Sequence, residues 1–431
     1  MSDILFNAER SFRDLEKFAI DIGPRPGGSE AEERAVNYIK GEFEALSLET
    51  KIQEFNIDSG RILSKKLEVI EPYKEEITCE AMALTGDTGP EGVEEELVYL
   101  DSTSEEYLTP DISGKIVVTP GFKTKDLPLI SKLSPLGFIR IESYPRVQPK
   151  HLWGKKELWE KYGNLPTVRI SNEDGVKLVG SGAKKVRLTV ESESLKLKSR
   201  NVVAKLRGTT KPDEIVVIGG HYDTVPNVRG ASDNAGGTAL VLELARVFKK
   251  KGTKRTLMFI AWGNEEMGLI GSRYYARRLK EADEDDGESE LKRIKLAINL
   301  DVHGSLIGKN AASVLGPPEL TTAIKLLSSE RGIVYDVKED VYSSDGTPLS
   351  SVGIPSVSFS RRAGSDILMH SVEDTMRWVN PQALQRQGEF IELFLTRFVA
   401  NAASLPFKRE IPEKLQEKIA KYFKERLRTP P

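Results

Sequence analysis

The chain has only four histidines, and two of them, His221 and His370, fall in segments that also gather carboxylates where short apolar runs end. His221 and Asp223 follow the run EIVVIGG, Glu265 and Glu266 follow TLMFIAWGN, and Asp301 closes KLAINL. Asp233 stands just ahead of a helical pattern that begins near Gly236, and His370 comes after the apolar run Ile354 to Phe359. Two imidazoles and three carboxylates are enough to hold two divalent ions. Neutral imidazole and carboxylate suit zinc at about 2.0–2.2 Å, and co-catalytic ions in hydrolases stand about 3.5–4 Å apart. Neighbouring residues of an extended segment point opposite ways, so one of Glu265 and Glu266 can hold metal while the other reaches water beside it. In His221-x-Asp223, the aspartate can accept the second imidazole N–H and orient the ring. With a single cysteine, Cys79, any metal here must be held through nitrogen and oxygen.

Each of these residues has an ordinary explanation when taken alone. A histidine after a strand is usually a hydrogen-bonded structural group, an aspartate before a helix is usually its N-cap, and Glu-Glu pairs are common on surfaces. Their coincidence at strand ends is what argues for a site. The other two histidines read differently: His151 as a surface residue of a polar loop, His303 as structural or as support behind Asp301.

Positioning these groups takes a scaffold of alternating strands and helices. Glu214–Ile218, Arg255–Ala261, Ile294–Leu300 and Ile354–Phe359 read as buried strands, and Gly236–Lys250 as a helix with Leu240, Leu244, Val247 and Phe248 on one face. That alternation predicts an α/β layer with a largely parallel sheet, and ligands of such sheets gather beyond the carboxyl ends of the strands. Upstream, Ser29 and Glu32 form a capping-box pattern opening a helix to Leu46, behind a Gly23–Gly28 connector that cannot be helical. Between about Cys79 and Glu193 the texture changes to short β-like runs between Gly/Pro turns, as in Ile112–Val118, Leu136–Ile141 and Leu165–Ile170. The acidic stretch Glu281–Glu290 reads as a solvated loop. Glu413–Arg428 reads as an amphipathic helix whose stripe of Leu415, Ile419, Phe423 and Leu427 packs on its own core or, as the weaker option, on another subunit.

The chain of 431 residues has room for two domains, and 39% hydrophobic with 30% charged residues fits a soluble globular protein. A net charge of −2 gives no bulk attraction to nucleic acid or anionic lipid. The opening MSDILFNAERSFRDLEKF scatters charges through its apolar positions, so no secretory leader is expected, and a lone cysteine fits a reducing cytoplasm.

Eight stretches in order carry a resemblance: GPRPGGSEAEERAVNYI, NVVAKLRGT, VVIGGHYDTV, GASDNAGGTALVLELARVF, FIAWGNEEMGLIGSRYYA, INLDVHG, SSDGTPLSSVGIPSVSF and MHSVEDT. Together they resemble the zinc aminopeptidase and glutamate-carboxypeptidase family of co-catalytic metallopeptidases, which also includes transferrin-receptor-like relatives. The resemblance implies a three-layer α/β peptidase domain and two divalent ions, zinc above all. His221, Asp233 and Asp301 would hold one ion and Asp233, Glu266 and His370 the other, Asp233 bridging. Glu265 would be the general base, Asp223 would support His221, and the bond after Asp233 would be cis. DISGKIVVTPG and LPTVRISNEDGVKLV are similar to the protease-associated domain often inserted in this family, giving peptidase segments 1–78 and 194–431 around an insert at 79–193. One departure is Gly346, where relatives often carry His or Tyr after the aspartate; another is His303, where they tend to be apolar.

The implied activity is removal of N-terminal residues from peptides, in the cytoplasm, by an enzyme that in many relatives is oligomeric. A carboxypeptidase on the same site would need an arginine clamp, for which Arg361 and Arg362 are the candidates. Deacylase-type relatives place a lid of about a hundred residues between the last two ligands, where this chain has no room. A non-catalytic relative would have lost ligands or base, and a cyclotransferase on this fold would hold one zinc.

Overall fold

The computed structural model describes residues 4–145, 148–285, 289–363 and 368–428. Its central sheet runs, edge to edge, Tyr335–Lys338, Gly308–Leu315, Ser356–Ala363, Ile294–Leu300, Lys211–His221, Arg255–Trp262 and Lys185–Leu206. The three strands nearest the carboxylates, Lys211–His221 with Arg255–Trp262 and Ile294–Leu300 on either side, are parallel. Ser356–Ala363 extends this parallel run beside Ile294–Leu300, and antiparallel pairings lie outside these four strands, so the sheet is mixed.

Successive residues of these strands face opposite ways, and both faces are buried. Val216, Ile218, Leu257, Phe259, Leu296 and Ile298 join a core shared with Leu15, Val36, Ile39, Leu240, Leu244, Phe390 and Phe394. Ile215, Val217, Met258, Ile260 and Ala297 join a second core with Tyr275, Leu279 and Leu349. Helices Ala8–Glu16, Glu30–Ala45, Gly236–Lys251, Pro318–Arg331 and Pro381–Phe394 supply the first layer, and Ile270–Asp285 with Gly346–Ser351 the other. Helix, sheet, helix is the three-layer architecture expected.

Strand Glu49–Glu71 pairs antiparallel with Lys185–Leu206 along nearly its whole length, from Glu49 against Lys205 to Glu71 against Lys185. This ribbon leaves the central sheet and enters a second unit. There, Val93–Tyr99, Ile116–Thr119, Gly137–Ile141 and Thr167–Ile170 lie parallel in turn, with Cys79–Ala81 antiparallel at the edge. This unit has its own apolar clusters, one around Ile116, Val118, Ile139, Val168 and Leu188, the other around Val117, Leu127, Ile130 and Phe138. Leu67, Val69 and Ile77, all ahead of Cys79, already belong to the first of them. Short helices at Leu127–Leu133, Lys156–Tyr162 and Asn172–Gly180 make it an α/β unit, more helical than its β-like sequence texture suggests.

Two local readings need correction. Glu281–Asp285 is helical, because helix Ile270–Asp285 runs through it with Glu281 beside Arg277 and Arg278 on preceding turns; residues 286–288 lie outside the described residues. The capping box at Ser29 is half formed. Ser29 Oγ accepts the Glu32 N–H at 3.1 Å, but Glu32 turns away to accept the Gly28 N–H and the hydroxyls of Ser199 and Tyr222. The C-terminal stripe Leu415, Ile419, Phe423 and Leu427 is buried against Leu269 and Leu315, the own-core packing expected first. Among the described residues, no helix is long and apolar enough to cross a membrane.

Candidate metal centre

His221 is the last residue of its strand, and Asp301 follows Leu300 directly. Glu265 and Glu266 lie three and four residues past Trp262, and Asp233 precedes helix Gly236–Lys251. The parallel strands therefore deliver these groups to one end of the sheet, and His370 arrives from the segment after Ser356–Ala363.

The side chains converge in two clusters that share one residue. His221 Nε2 lies 3.2 Å from Asp233 Oδ1 and 3.2 Å from Asp301 Oδ1. His370 Nε2 lies 2.9 Å from Glu266 Oε2 and 3.5 Å from Asp233 Oδ2. Asp233 thus turns one oxygen to each imidazole, as a bridging ligand must. Donor atoms of His221, Glu265 and Asp301 fall within 4.8 Å of one another, and so do those of Asp233, Glu266 and His370. The peptide bond Asp233–Asn234 is cis, as the resemblance implied.

Burial opposes every charge here, yet the neighbouring acids prevail on both rings. Glu265, Asp223, Asp233 and Asp301 hold His221 protonated well above the usual histidine range, and Glu266 with Asp233 lifts His370 to about 10. Asp233 sits below its ordinary range because two imidazoles face it. Burial raises Glu265, Glu266 and Asp345, the last to about 7. Asp345 lies nearby with Oδ1 on the Ser272 hydroxyl at 2.6 Å and Oδ2 without a partner. Six acids against two imidazoles and the buried Arg25 leave an excess of negative charge that divalent cations would balance. The donor set, two nitrogens and three carboxylates, fits zinc.

Several contacts that shape the centre were not visible in the spacing. His221 Nδ1 lies 3.2 Å from the Asp223 carbonyl and 3.6 Å from its carboxylate, which accepts the backbone N–H groups of Glu265 at 3.0 Å and Glu266 at 3.3 Å. One residue thereby fixes base and ligand through its carboxylate and the imidazole through its carbonyl. Asp374 does the same for the bridge, accepting the N–H groups of Ser232 at 2.9 Å and Asp233 at 3.0 Å. Asn234 joins the ends of two strands to the helix, donating to the carbonyls of His221 and Leu300 and accepting from Gly237 and Val302. Arg25, from the connector Gly23–Gly28, is fully buried and donates to five carbonyls, those of Phe18, Gly23, Tyr222, Arg229 and Gly230.

Other expectations change. His151 is buried at 6% exposure, with Nδ1 3.3 Å from Glu80 Oε2, and is no surface residue. His303 is buried with Nε2 2.9 Å from the Phe359 carbonyl, a structural arrangement in which desolvation lowers its pKa to about 4. Arg361 spends its guanidinium on Ser305 O, Leu306 O and Asn310 Oδ1 at 2.7–2.8 Å, and Arg362 lies 4.8 Å over the Tyr342 ring. The cause is position: both belong to strand Ser356–Ala363 and not to a loop.

A three-layer α/β domain with a bridged pair of imidazole–carboxylate clusters beyond its parallel strands defines the protein class: a hydrolase scaffold built for two metal ions. Residues 201–395 match the model of peptidase family M28. Over 408 residues it is 28% identical to aminopeptidase YwaD of Bacillus subtilis (strain 168), covering 90% of this chain and 84% of that one. Carboxypeptidase Q of Pongo abelii is 25% identical over 293 residues, 62% of this chain and 60% of the relative. The structure of BSAP, a zinc aminopeptidase from Bacillus subtilis, superposes with a TM-score of 0.75 at 24% identity, over 91% of this chain and 95% of that one, a likeness of fold.

Proposed function

We propose that the protein is a two-zinc exopeptidase that removes N-terminal residues from peptides. The observation that carries this reading is Asp233, whose two oxygens face separate imidazole–carboxylate clusters 3.2 and 3.5 Å away. His221 and Asp301 would hold one ion, Glu266 and His370 the other, with Asp233 between them. When bound, such a pair polarises the scissile carbonyl and makes water acidic enough to attack near neutral pH. Glu265 takes the proton of the attacking water and returns it to the leaving amine. Asp223, through the amides of both glutamates, keeps base and ligand at fixed separation. Support for the amino end comes from Arg361, whose donors are committed within its own sheet and so are not free to clamp a substrate carboxylate.

The second unit, proposed as an inserted protease-associated-like domain at 79–193, leaves 1–78 and 194–431 to the peptidase. We place the enzyme in the cytoplasm, a reading supported by its one cysteine, which is buried. A net charge of −2 favours peptides over nucleic acid or membrane as partners, and a homo-oligomer would have to use surfaces other than the buried C-terminal stripe. The test is a panel of amino-acyl amides, N-blocked peptides and C-amidated peptides offered to zinc-reconstituted protein. Free-N-terminal substrates should be cleaved whether or not they are C-amidated, and N-blocked ones left intact. Cleavage of N-blocked but not C-amidated peptides would overturn the aminopeptidase assignment in favour of a carboxypeptidase.

A further inference from the structure

The five proposed ligands are not held equally. His221 and Asp301 close buried strands, Asp233 hangs on Asp374 by its backbone N–H, and Glu266 hangs on Asp223 in the same way. Their side chains are 1%, 6%, 7% and 4% exposed, whereas His370 is 24% exposed. His370 also stands outside regular structure with φ at +62°, a left-handed conformation that costs a histidine energy unless its surroundings impose it.

The turn Leu368–Ser371, closed by the Ser371 N–H on the Leu368 carbonyl at 3.1 Å, sets that conformation, and a further hold on it comes from the other unit. The backbone N–H of His151 donates to the His370 carbonyl at 2.9 Å. The loop 148–154 carrying that amide is itself anchored three times within the second unit. Lys150 N–H donates to Glu142, a buried carboxylate also gripped by Arg169 at 2.7 Å. The His151 ring rests on Glu80, and Gly154 N–H donates to the Ala83 carbonyl at 2.7 Å beside the Ala83–Trp153 bridge.

We infer that the second unit is part of the metal centre: its loop 148–154 positions His370 through the His151 amide and thereby sets the affinity of the Glu266–His370 zinc site. The inference rests on the two-zinc reading above. His151 is a positioning residue, since its ring faces Glu80 and only its main chain meets the ligand. The second zinc and the amide contact are thermodynamically linked, so each stabilises the other.

The test measures zinc binding directly on the full chain, by equilibrium dialysis against buffered zinc with metal analysis, alongside amide exchange. Wild type should bind two zinc ions; fewer than two overturns both this inference and its parent reading, whereas two ions without peptide cleavage sink only the parent reading. His151→Pro removes the N–H and should weaken the second zinc roughly 10- to 100-fold, the usual scale for groups that orient a metal ligand, with the first unchanged. His151→Ala keeps the N–H and should retain both ions within a few-fold. Unchanged binding by His151→Pro, or equal losses in the two variants, overturns the assignment. If His151→Pro does not fold, exchange in wild type decides: the His151 amide should exchange faster once the second zinc is withdrawn, and identical rates with one and two zincs refute the coupling.

Discussion

Helix Gly236–Lys251 has a buried cluster of carboxylates near each end, and the two are built on opposite principles. At its start, the ion-pair partners of Asp233, Asp301 and Glu266 are imidazoles, and the nearby buried Arg25 spends its donors on backbone carbonyls. Along its later turns, Glu243 pairs with Arg10 at 2.5 Å and Arg246 at 3.2 Å, Asp14 pairs with Arg246 at 2.5 Å, and Glu392 pairs with Lys251 at 2.5 Å. Both clusters are buried and acidic, but guanidinium and ammonium groups neutralise one while the other is left in excess. Buried acid paired with a permanent cation is structure; buried acid paired with imidazoles that can give up their protons is a place for metal.

The largest expected effect separates the acid that does chemistry from those that hold metal. Glu265→Gln should retain both zinc ions by metal analysis while kcat falls on the order of 10²- to 10⁴-fold. Full activity in the metal-replete variant would return Glu265 to the structural class. At the far end of the helix the effect should lie in stability instead. Arg246→Met leaves Asp14 without its cation while Glu243 keeps Arg10, and denaturant unfolding should show a loss of about 3–5 kcal/mol, with zinc content unaltered in the folded protein. A loss of zinc there would mean the two clusters are not independent.

Zinc removal is the third probe. Stripping the ions and restoring zinc at a hundredfold its Kd should stabilise the fold by about 3 kcal/mol, read as a rise in melting temperature. Binding must displace protons from His221 and His370, both held above their ordinary pKa in the ion-free protein. Affinity should therefore rise with pH up to about 10, where His370 titrates, and fall steadily below it. A pH-independent affinity would show that the imidazoles are not the ligands.

Much of this was legible in the chain because it follows from local rules. Strand ends and helix starts announce themselves by hydrophobic runs and turns, and residues placed there by a parallel sheet have little choice but to meet. Illegible parts depend on partners far away. Arg25 reaches carbonyls about two hundred positions along the chain, Asp374 reaches Ser232 and Asp233, and nothing in the spacing of either tells which backbone groups it serves. His151 misled for the same reason: a polar loop looks solvated until the fold packs it on a partner about seventy positions away, here Glu80. Arg361 and Arg362 looked like a loop because the strand that contains them runs on past Phe359, into residues whose hydrophobicity no longer signals it.

The two-stranded ribbon carries one more consequence. Residues 72–184 enter and leave through strands that pair with each other, Glu71 against Lys185 and then outward to Glu49 against Lys205. Once zipped, the ribbon brings positions 49 and 205 side by side, so the flanking halves meet as if joined by a short link. Loop-closure entropy grows with the logarithm of loop length, about 0.6 kcal/mol per doubling, and the zipped ribbon spares the helices and strands on either side most of that cost. A chain that looks interrupted on paper is, for the purposes of folding, nearly continuous.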